Sequence, residues 1–235
     1  NNLLSRKAPL ETVLCFALAP QKAKRYDWDF YRKAHAHAGI KPTVNFSFHA
    51  QNQLIKSNLE FREALQNLKP TDDERRHKER GAPHVSYAMA QWLLNSFSEQ
   101  EFSELEELLV TRPRGQFRAL LSMDGAVSMR GSQNVLRLGL LLDVLRLGDV
   151  KVQSVRSGNE FSLFDLSSGE YHMYLTMMAV GFGVEEETVL LIDEPENHLH
   201  PQWQRDLMAS VFEVFSQVGA KGQIIVSTHS PLIVG

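Results

Sequence analysis

The apolar residues in the last third of the chain fall into two short uninterrupted runs with a helical pattern between them. Residues 189–192 (Val-Leu-Leu-Ile) lead straight into Asp193 and Glu194, and Pro195 stops the run. An apolar run without polar alternation predicts a strand buried in a parallel sheet. Residues 223–227 (QIIVS) predict a second such strand, ending in Thr228-His229-Ser230-Pro231. Between the two, Trp203, Leu207, Val211, Val214 and Phe215 recur at helical spacing over Pro201–Gln217, and Gly219 and Gly222 close the helix. Strand, helix and strand make a βαβ unit, whose parallel strands end on the same edge of one sheet. Asp193, Glu194 and His229 are therefore expected to converge.

Ahead of this unit the pattern is mixed. Residues 12–18 (TVLCFAL) suit a strand or a short buried helix, and periodicity does not choose between them. Residues 43–49 (TVNFSFH) alternate as a strand. Residues 53–68, 85–98, 100–111 and 133–147 carry helical apolar spacing, with breaks at Pro70, Pro113 and Gly115. Residues 149–155 and 160–165 alternate on either side of Ser157-Gly158-Asn159, which predicts a β-hairpin. The hairpin delivers the chain to Leu166-Ser167-Ser168-Gly169-Glu170, and Tyr171–Val180 then reads as a helix.

Composition narrows the class. The 235 residues are 43% hydrophobic and 23% charged, the balance of an ordinary globular chain. The net charge of −3 hides an asymmetry: residues 1–41 carry eight Lys/Arg against three acids, and residues 151–235 carry four against eleven. Nucleic-acid binding, if it occurs, has to be local. Its candidate is residues 20–41, where Tyr26, Trp28, Phe30 and Tyr31 interleave with Lys22, Lys24, Arg25, Arg32 and Lys33. Such a stretch can stack on bases. It also suits an amphipathic helix with aromatics inward and cations outward, which is the expectation here. His35 and His37 lack a third ligand nearby and are expected to be a solvated pair rather than a metal site. The run Thr71–Gly81, rich in both signs, is expected to be a solvated helix face or loop. Cys15 is the single cysteine; it excludes an intramolecular disulfide and points to a reducing, cytoplasmic compartment. No apolar run reaches the roughly 20 residues of a membrane span. The start at Asn1, without Met, and the abrupt end at Gly235 suggest an internal piece of a longer protein.

The candidate chemistry lies at the strand ends. Two acids at such an edge suit nucleotide hydrolysis, one holding Mg²⁺ through water and the next activating a water for attack. Serine and glycine at a helix start leave backbone N–H groups free for an anion such as phosphate, although Ser before Gly-Glu is equally an ordinary N-cap. A rival reading takes Glu194, His198 and His200 as metal ligands of a hydrolase. It leaves the Leu166–Glu170 segment without a role.

Together these residues resemble the C-terminal half of an ABC-type ATPase head, of the structural-maintenance-of-chromosomes, RecF and overcoming-lysogenization-defect group. LSSGE (166–170) is similar to the signature motif, VLLIDEPENHLHP (189–201) to the Walker B strand and D-loop, and STHSP (227–231) to the switch-histidine loop. The resemblance covers about residues 149–235. It implies an α/β fold: an ABC-ATPase head with a mostly parallel core sheet, a β-hairpin before the signature helix, and an inserted helical region. Residues 1–49 would be part of the head, 50–147 the helical insert and 148–235 the C-terminal part of the head.

The same resemblance assigns roles. Asp193 would bind Mg²⁺, Glu194 would be the general base and His229 would sense the γ-phosphate. Ser167, Ser168, Gly169 and Glu170 would contact ATP held by the opposite protomer. Asn197 and His200 would lie across the dimer interface, beside the shared nucleotide. The cofactors implied are ATP and Mg²⁺, and the active unit is a homodimer or higher oligomer closed around ATP. A partner effector or nuclease in antiphage defence is expected. The alternatives are DNA binding through the helical insert in repair, and a non-hydrolysing scaffold. One element departs from the pattern. No G-x-x-x-x-G-K-[ST] phosphate loop occurs in the chain, and Ile55-Lys56-Ser57 lacks the preceding glycines. The loop is expected upstream of Asn1.

Overall fold

The structure, a computed structural model, describes residues 2–19, 29–50, 60–70, 85–111, 116–121, 127–129, 133–185, 187–217 and 221–234. The basic-aromatic residues Lys22, Lys24, Arg25, Tyr26 and Trp28, the start of the helix expected at 53–68, and the charged run 71–81 lie outside them.

The ambiguous N-terminal run is helical: α1 spans Asn2–Ala17. Leu10, Val13, Leu14 and Ala17 recur at helical spacing and are buried. Helix α2 (Asp29–His37) buries Phe30, Tyr31, Ala34 and His35. Its Arg32 and Lys33 face outward toward Asp29, at 3.6 and 3.4 Å. The described part of the basic-aromatic stretch is thus an amphipathic helix. His35 corrects the expectation of a solvated pair: it is completely buried. Its Nδ1 lies 2.8 Å from the Tyr31 carbonyl and its Nε2 3.4 Å from the Tyr174 hydroxyl. Burial lowers its pKa to about 4, so the ring is neutral, donating from Nδ1 and accepting at Nε2.

Strand β1 (Val44–Ala50) alternates as expected, with Val44, Phe46, Phe48 and Ala50 inward. Helices α3 (Phe61–Gln66), α4 (Tyr87–Ser96), α5 (Glu99–Thr111) and α6 (Gln133–Leu141) follow the helical spacing. Between α5 and α6 lie two strands that the helical reading of 50–147 passed over, β2 (Gln116–Leu121) and β3 (Val127–Met129). Helix α6 ends earlier than the apolar run, because Asp143 takes a left-handed φ of 59° and turns the chain. Strand β4 (Leu145–Gln153) therefore begins within the residues expected to be helical. With β5 (Glu160–Ser162) it forms the expected hairpin, pairing Lys151 with Ser162 and Gln153 with Glu160. Among the described residues these strands make one sheet in the order β3-β2-β1-β4-β5, with antiparallel pairing throughout.

The C-terminal βαβ unit forms as the pattern predicts. Strand β6 (Val189–Asp193) and β7 (Gln223–Ser227) pair in parallel from Val189–Gln223 to Asp193–Ser227. Helix α8 (Pro201–Gln217) makes the crossover. Among the described residues this pair is the parallel part of the fold, so the expected mostly parallel sheet gives way to a larger antiparallel one beside it. The chain is a mixed α/β protein. One face of the parallel pair, with Leu190, Ile192, Ile224 and Val226, packs against the common core. The other leaves Val189, Leu191 and Ile225 at 59, 71 and 53% exposure, where burial on both faces was expected.

Helix α7 (Ser168–Gly183) joins the two halves, packing against α1, α2 and α8. Its Gly181 is required: a Cβ there would stand 2.1 Å from the Phe30 ring.

Candidate functional site at the ends of the parallel strands

The parallel register puts Asp193 opposite Ser227, so the two chains leave the sheet side by side. The Glu194 N–H donates to the Ser227 carbonyl at 2.8 Å, extending the pairing by one residue. There Glu194 adopts a left-handed φ of 44°, and His198 one of 65°. Neither has the freedom of glycine, and such conformations persist where the surroundings enforce them. The backbone turns sharply at Glu194 and its carboxylate comes to face His229, with Nε2 to Oε1 at 3.6 Å. The other oxygen accepts from Asn197 Nδ2 at 2.9 Å. Asp193, Glu194, Asn197 and His229 thus gather at one edge.

Asp193 is exposed and, among the described residues, no donor engages its carboxylate. A hard oxygen ligand with open lone pairs fits Mg²⁺, which binds through one or two carboxylates and keeps waters or phosphate oxygens elsewhere. Among the described residues no group of three His, Cys, Asp or Glu side chains could hold a metal. The rival triad of Glu194, His198 and His200 is therefore not assembled. His200 instead accepts at Nδ1 from the Gln202 N–H at 3.4 Å, just before Pro201 opens helix α8. It is placed as that helix's cap.

The turn between strand and helix carries a residue that the motif reading left out. Glu196 accepts at Oε2 from the Thr228 hydroxyl at 2.7 Å, and at Oε1 from the His229 and Ser230 N–H groups at 2.7 and 3.1 Å. Those bonds, the Thr228 hydroxyl's first, hold its carboxyl below the usual range. The signal in the sequence was its place, three residues past Asp193 and ahead of a helix start.

Ser167 and Glu170 form a capping box at the start of helix α7. The Glu170 N–H donates to Ser167 Oγ at 3.3 Å, and the Ser167 N–H to Glu170 Oε2 at 2.9 Å. These two side chains serve the helix. Ser168 is exposed, and among the described residues its hydroxyl has no partner; with the Glu170 N–H taken by the cap, that hydroxyl and the Ser168 and Gly169 N–H groups are the ones left for an anion. Gly169 is buried against the turn after β6, and a Cβ would meet the His198 carbonyl at 2.6 Å. One helical turn on, burial lowers the pKa of His172, against the pull of the nearby Pro195 carbonyl. The signature segment and the turn after β6 are thus fitted to each other within one chain.

Helix α1 supports this segment from behind, a contribution that sequence reasoning missed because Arg6 is remote from every motif. Its guanidinium donates to the Phe164 and Leu166 carbonyls at 2.8 and 3.0 Å, and the Tyr171 hydroxyl donates to the Arg6 carbonyl at 2.5 Å.

Residues 13–235 match the family model described as "AAA domain, putative AbiEii toxin, Type IV TA system". A relative named "Retron Vc95 probable ATPase", from Vibrio cholerae serotype O1 biovar El Tor, is 30% identical over an alignment of 95 residues that covers 34% of this chain. The match spans 17% of that protein's length.

Proposed function

The chain belongs to that AAA-domain family, and from this premise we propose that it is an ATP-binding and ATP-hydrolysing head. In finer detail, we assign it the ABC-type architecture of the structural-maintenance-of-chromosomes, RecF and overcoming-lysogenization-defect group. The observation that carries the reading is the approach of His229 to Glu194 across the ends of two parallel strands.

Glu194 accepts the proton of the attacking water, and the Asn197 amide fixes the carboxylate that does so. His229 faces the same space from the neighbouring strand and donates to the γ-phosphate, whose charge spreads over its oxygens as the bond to the leaving group breaks. Asp193 is the Mg²⁺ ligand, and the bound ion would neutralise charge on the phosphates. Ser168 and Gly169 offer a hydroxyl and first-turn N–H groups to ATP held by a second copy of the chain, with the capping box of Ser167 and Glu170 holding the helix start in shape. Asn197 and His200 lie at the closing interface.

The family's description and the retron relative's name support a task in antiphage defence, with the ATP-driven dimer controlling a partner effector or nuclease. Among the described residues no helix is long and apolar enough to cross a membrane; we place the working protein in the cytoplasm. Phosphate release from MgATP by the full-length protein tests the proposal. Asp193→Asn is expected to lower it by at least about tenfold, with recovery only at raised Mg²⁺. No release from the unaltered protein would leave a non-hydrolysing scaffold as the better reading.

A further inference from the structure

Glu196 sits outside the hydrolytic constellation yet spends both carboxylate oxygens on the loop that carries His229. Three donors on three successive residues converge on it: the Thr228 hydroxyl, the His229 N–H and the Ser230 N–H. Two of these are backbone groups beyond the last paired residue of β7, where no strand remains to receive them. The turn that bears Glu196 is itself held from the opposite side. A Cβ at Gly169 would meet the His198 carbonyl at 2.6 Å and the Trp203 ring at 3.3 Å, so the start of helix α7 lies directly against that turn. A continuous line of contacts therefore runs from the start of helix α7, through the turn 196–198, to the backbone of His229. Beside the approach of the His229 ring to Glu194, the loop is tied from Ser230 Oγ to Gln204 Oε1 at 2.6 Å, which does not reach the backbone of His229.

We propose that Glu196 is a positioning residue. Its carboxylate ties the backbone of His229 to the turn after β6, so that the His229 ring is presented to Glu194 and moves with the signature helix rather than independently of it. The proposal rests on the hydrolytic reading for its catalytic consequence, but the tie itself is a property of the nucleotide-free chain. A positioning carboxylate need not touch substrate. It sets how often the histidine occupies the productive geometry, which appears in kcat more than in KM.

Two readouts on the full-length protein test this, using Glu196→Ala, Glu196→Gln and Thr228→Val. In nucleotide-free protein, hydrogen exchange of the segment 227–232 is expected to quicken by about tenfold or more in Glu196→Ala. Glu196→Gln retains an oxygen that accepts both backbone bonds and should restore most of the protection. Thr228→Val removes the hydroxyl that donates to Glu196 and accepts from the Ser230 N–H at 3.0 Å, but leaves both backbone bonds to Glu196; it should fall between the two and guards against a Glu196→Ala protein that does not fold. In turnover, Glu196→Ala should lower kcat by about tenfold or more with KM for ATP within about twofold, and Glu196→Gln should recover it. Unchanged exchange in Glu196→Ala overturns the proposal, as does equal loss in the Gln and Ala variants. A raised KM at constant kcat also overturns it, because Glu196 would then be a nucleotide contact. If exchange responds as expected but the unaltered protein releases no phosphate, the tie stands and the hydrolytic reading fails.

Discussion

His229 Nε2 stands 3.6 Å from Glu194 Oε1, although the two residues reach that distance from different strands. The contact is a consequence of parallel register: Asp193 pairs with Ser227, and one residue beyond β6 and two beyond β7 the backbone turns the two side chains toward each other. His229 remains 88% exposed while Glu194 is half-buried at 43%. The histidine is therefore free to meet something in front of the sheet edge, and the carboxylate is held behind it by Asn197.

Because His229 is so exposed, its removal should act on chemistry and not on folding. His229→Ala is expected to leave the thermal melting temperature within about 1 °C, since surface substitutions are usually nearly neutral. ATP turnover should fall by roughly 10²-fold, the size of one lost transition-state donor. Paired calorimetry and phosphate-release assays check this, and equal turnover would remove His229 from the site.

The two serines of the signature segment should separate cleanly. Ser167→Ala loses the side-chain cap of helix α7 and should cost about 1 kcal/mol of stability in denaturant titration. Ser168→Ala removes a hydroxyl without a described partner and should leave the titration unchanged, while weakening ATP-dependent dimerisation measured by light scattering. A loss of stability in Ser168→Ala with normal dimerisation would reverse the assignment.

The buried His35 ties stability to pH. Its folded pKa, about 4, lies below the ordinary histidine value of 6.5, so the unfolded chain binds the proton first. The neutral ring's contribution is complete above about pH 6.5 and is lost as pH falls through the window down to about 4. A shift of that size corresponds to about 3 kcal/mol at the acid end. Urea titrations at several pH values should show this slope, and His35→Leu should flatten it.

Packing at Gly181 gives a prediction without electrostatics. A methyl at this position overlaps the Phe30 ring, which is itself wedged edge-on against Phe182 with ring centroids 5.1 Å apart. Gly181→Ala should destabilise by about 1–3 kcal/mol, despite the higher helix propensity of alanine. A neutral or stabilising result in thermal denaturation would mean that α2 and α7 pack less closely.

The parts of the fold that the sequence made legible were those whose period follows from a single interface. The β6-α8-β7 unit, the β4-β5 hairpin and the inward face of α2 could all be read from residue spacing. Strand β2 could not be, because Gln-Phe-Arg-Ala-Leu-Leu is short and lay within helical surroundings. The boundary between α6 and β4 was hidden by the leucines on both sides of Asp143, where a left-handed turn interrupts an otherwise continuous apolar run. His35 was misread because two histidines two apart look alike in sequence, while on a helix they take different faces. At the site, the ends of two strands were enough to foresee the approach of Glu194 to His229. The clamps behind them, Glu196 on the histidine loop and Arg6 on the signature segment, depend on contacts that no spacing rule encodes.

The most direct test of the site is Glu194→Gln in the full-length protein, with ATP turnover and ATP-dependent dimerisation measured on the same preparation. The amide keeps the shape of the side chain and one acceptor for Asn197 but cannot take a proton from water. Turnover should fall by on the order of 10²–10⁴-fold, while ATP still closes the dimer and holds it closed. Turnover equal to that of the unaltered protein would contradict the assignment of Glu194 as the base.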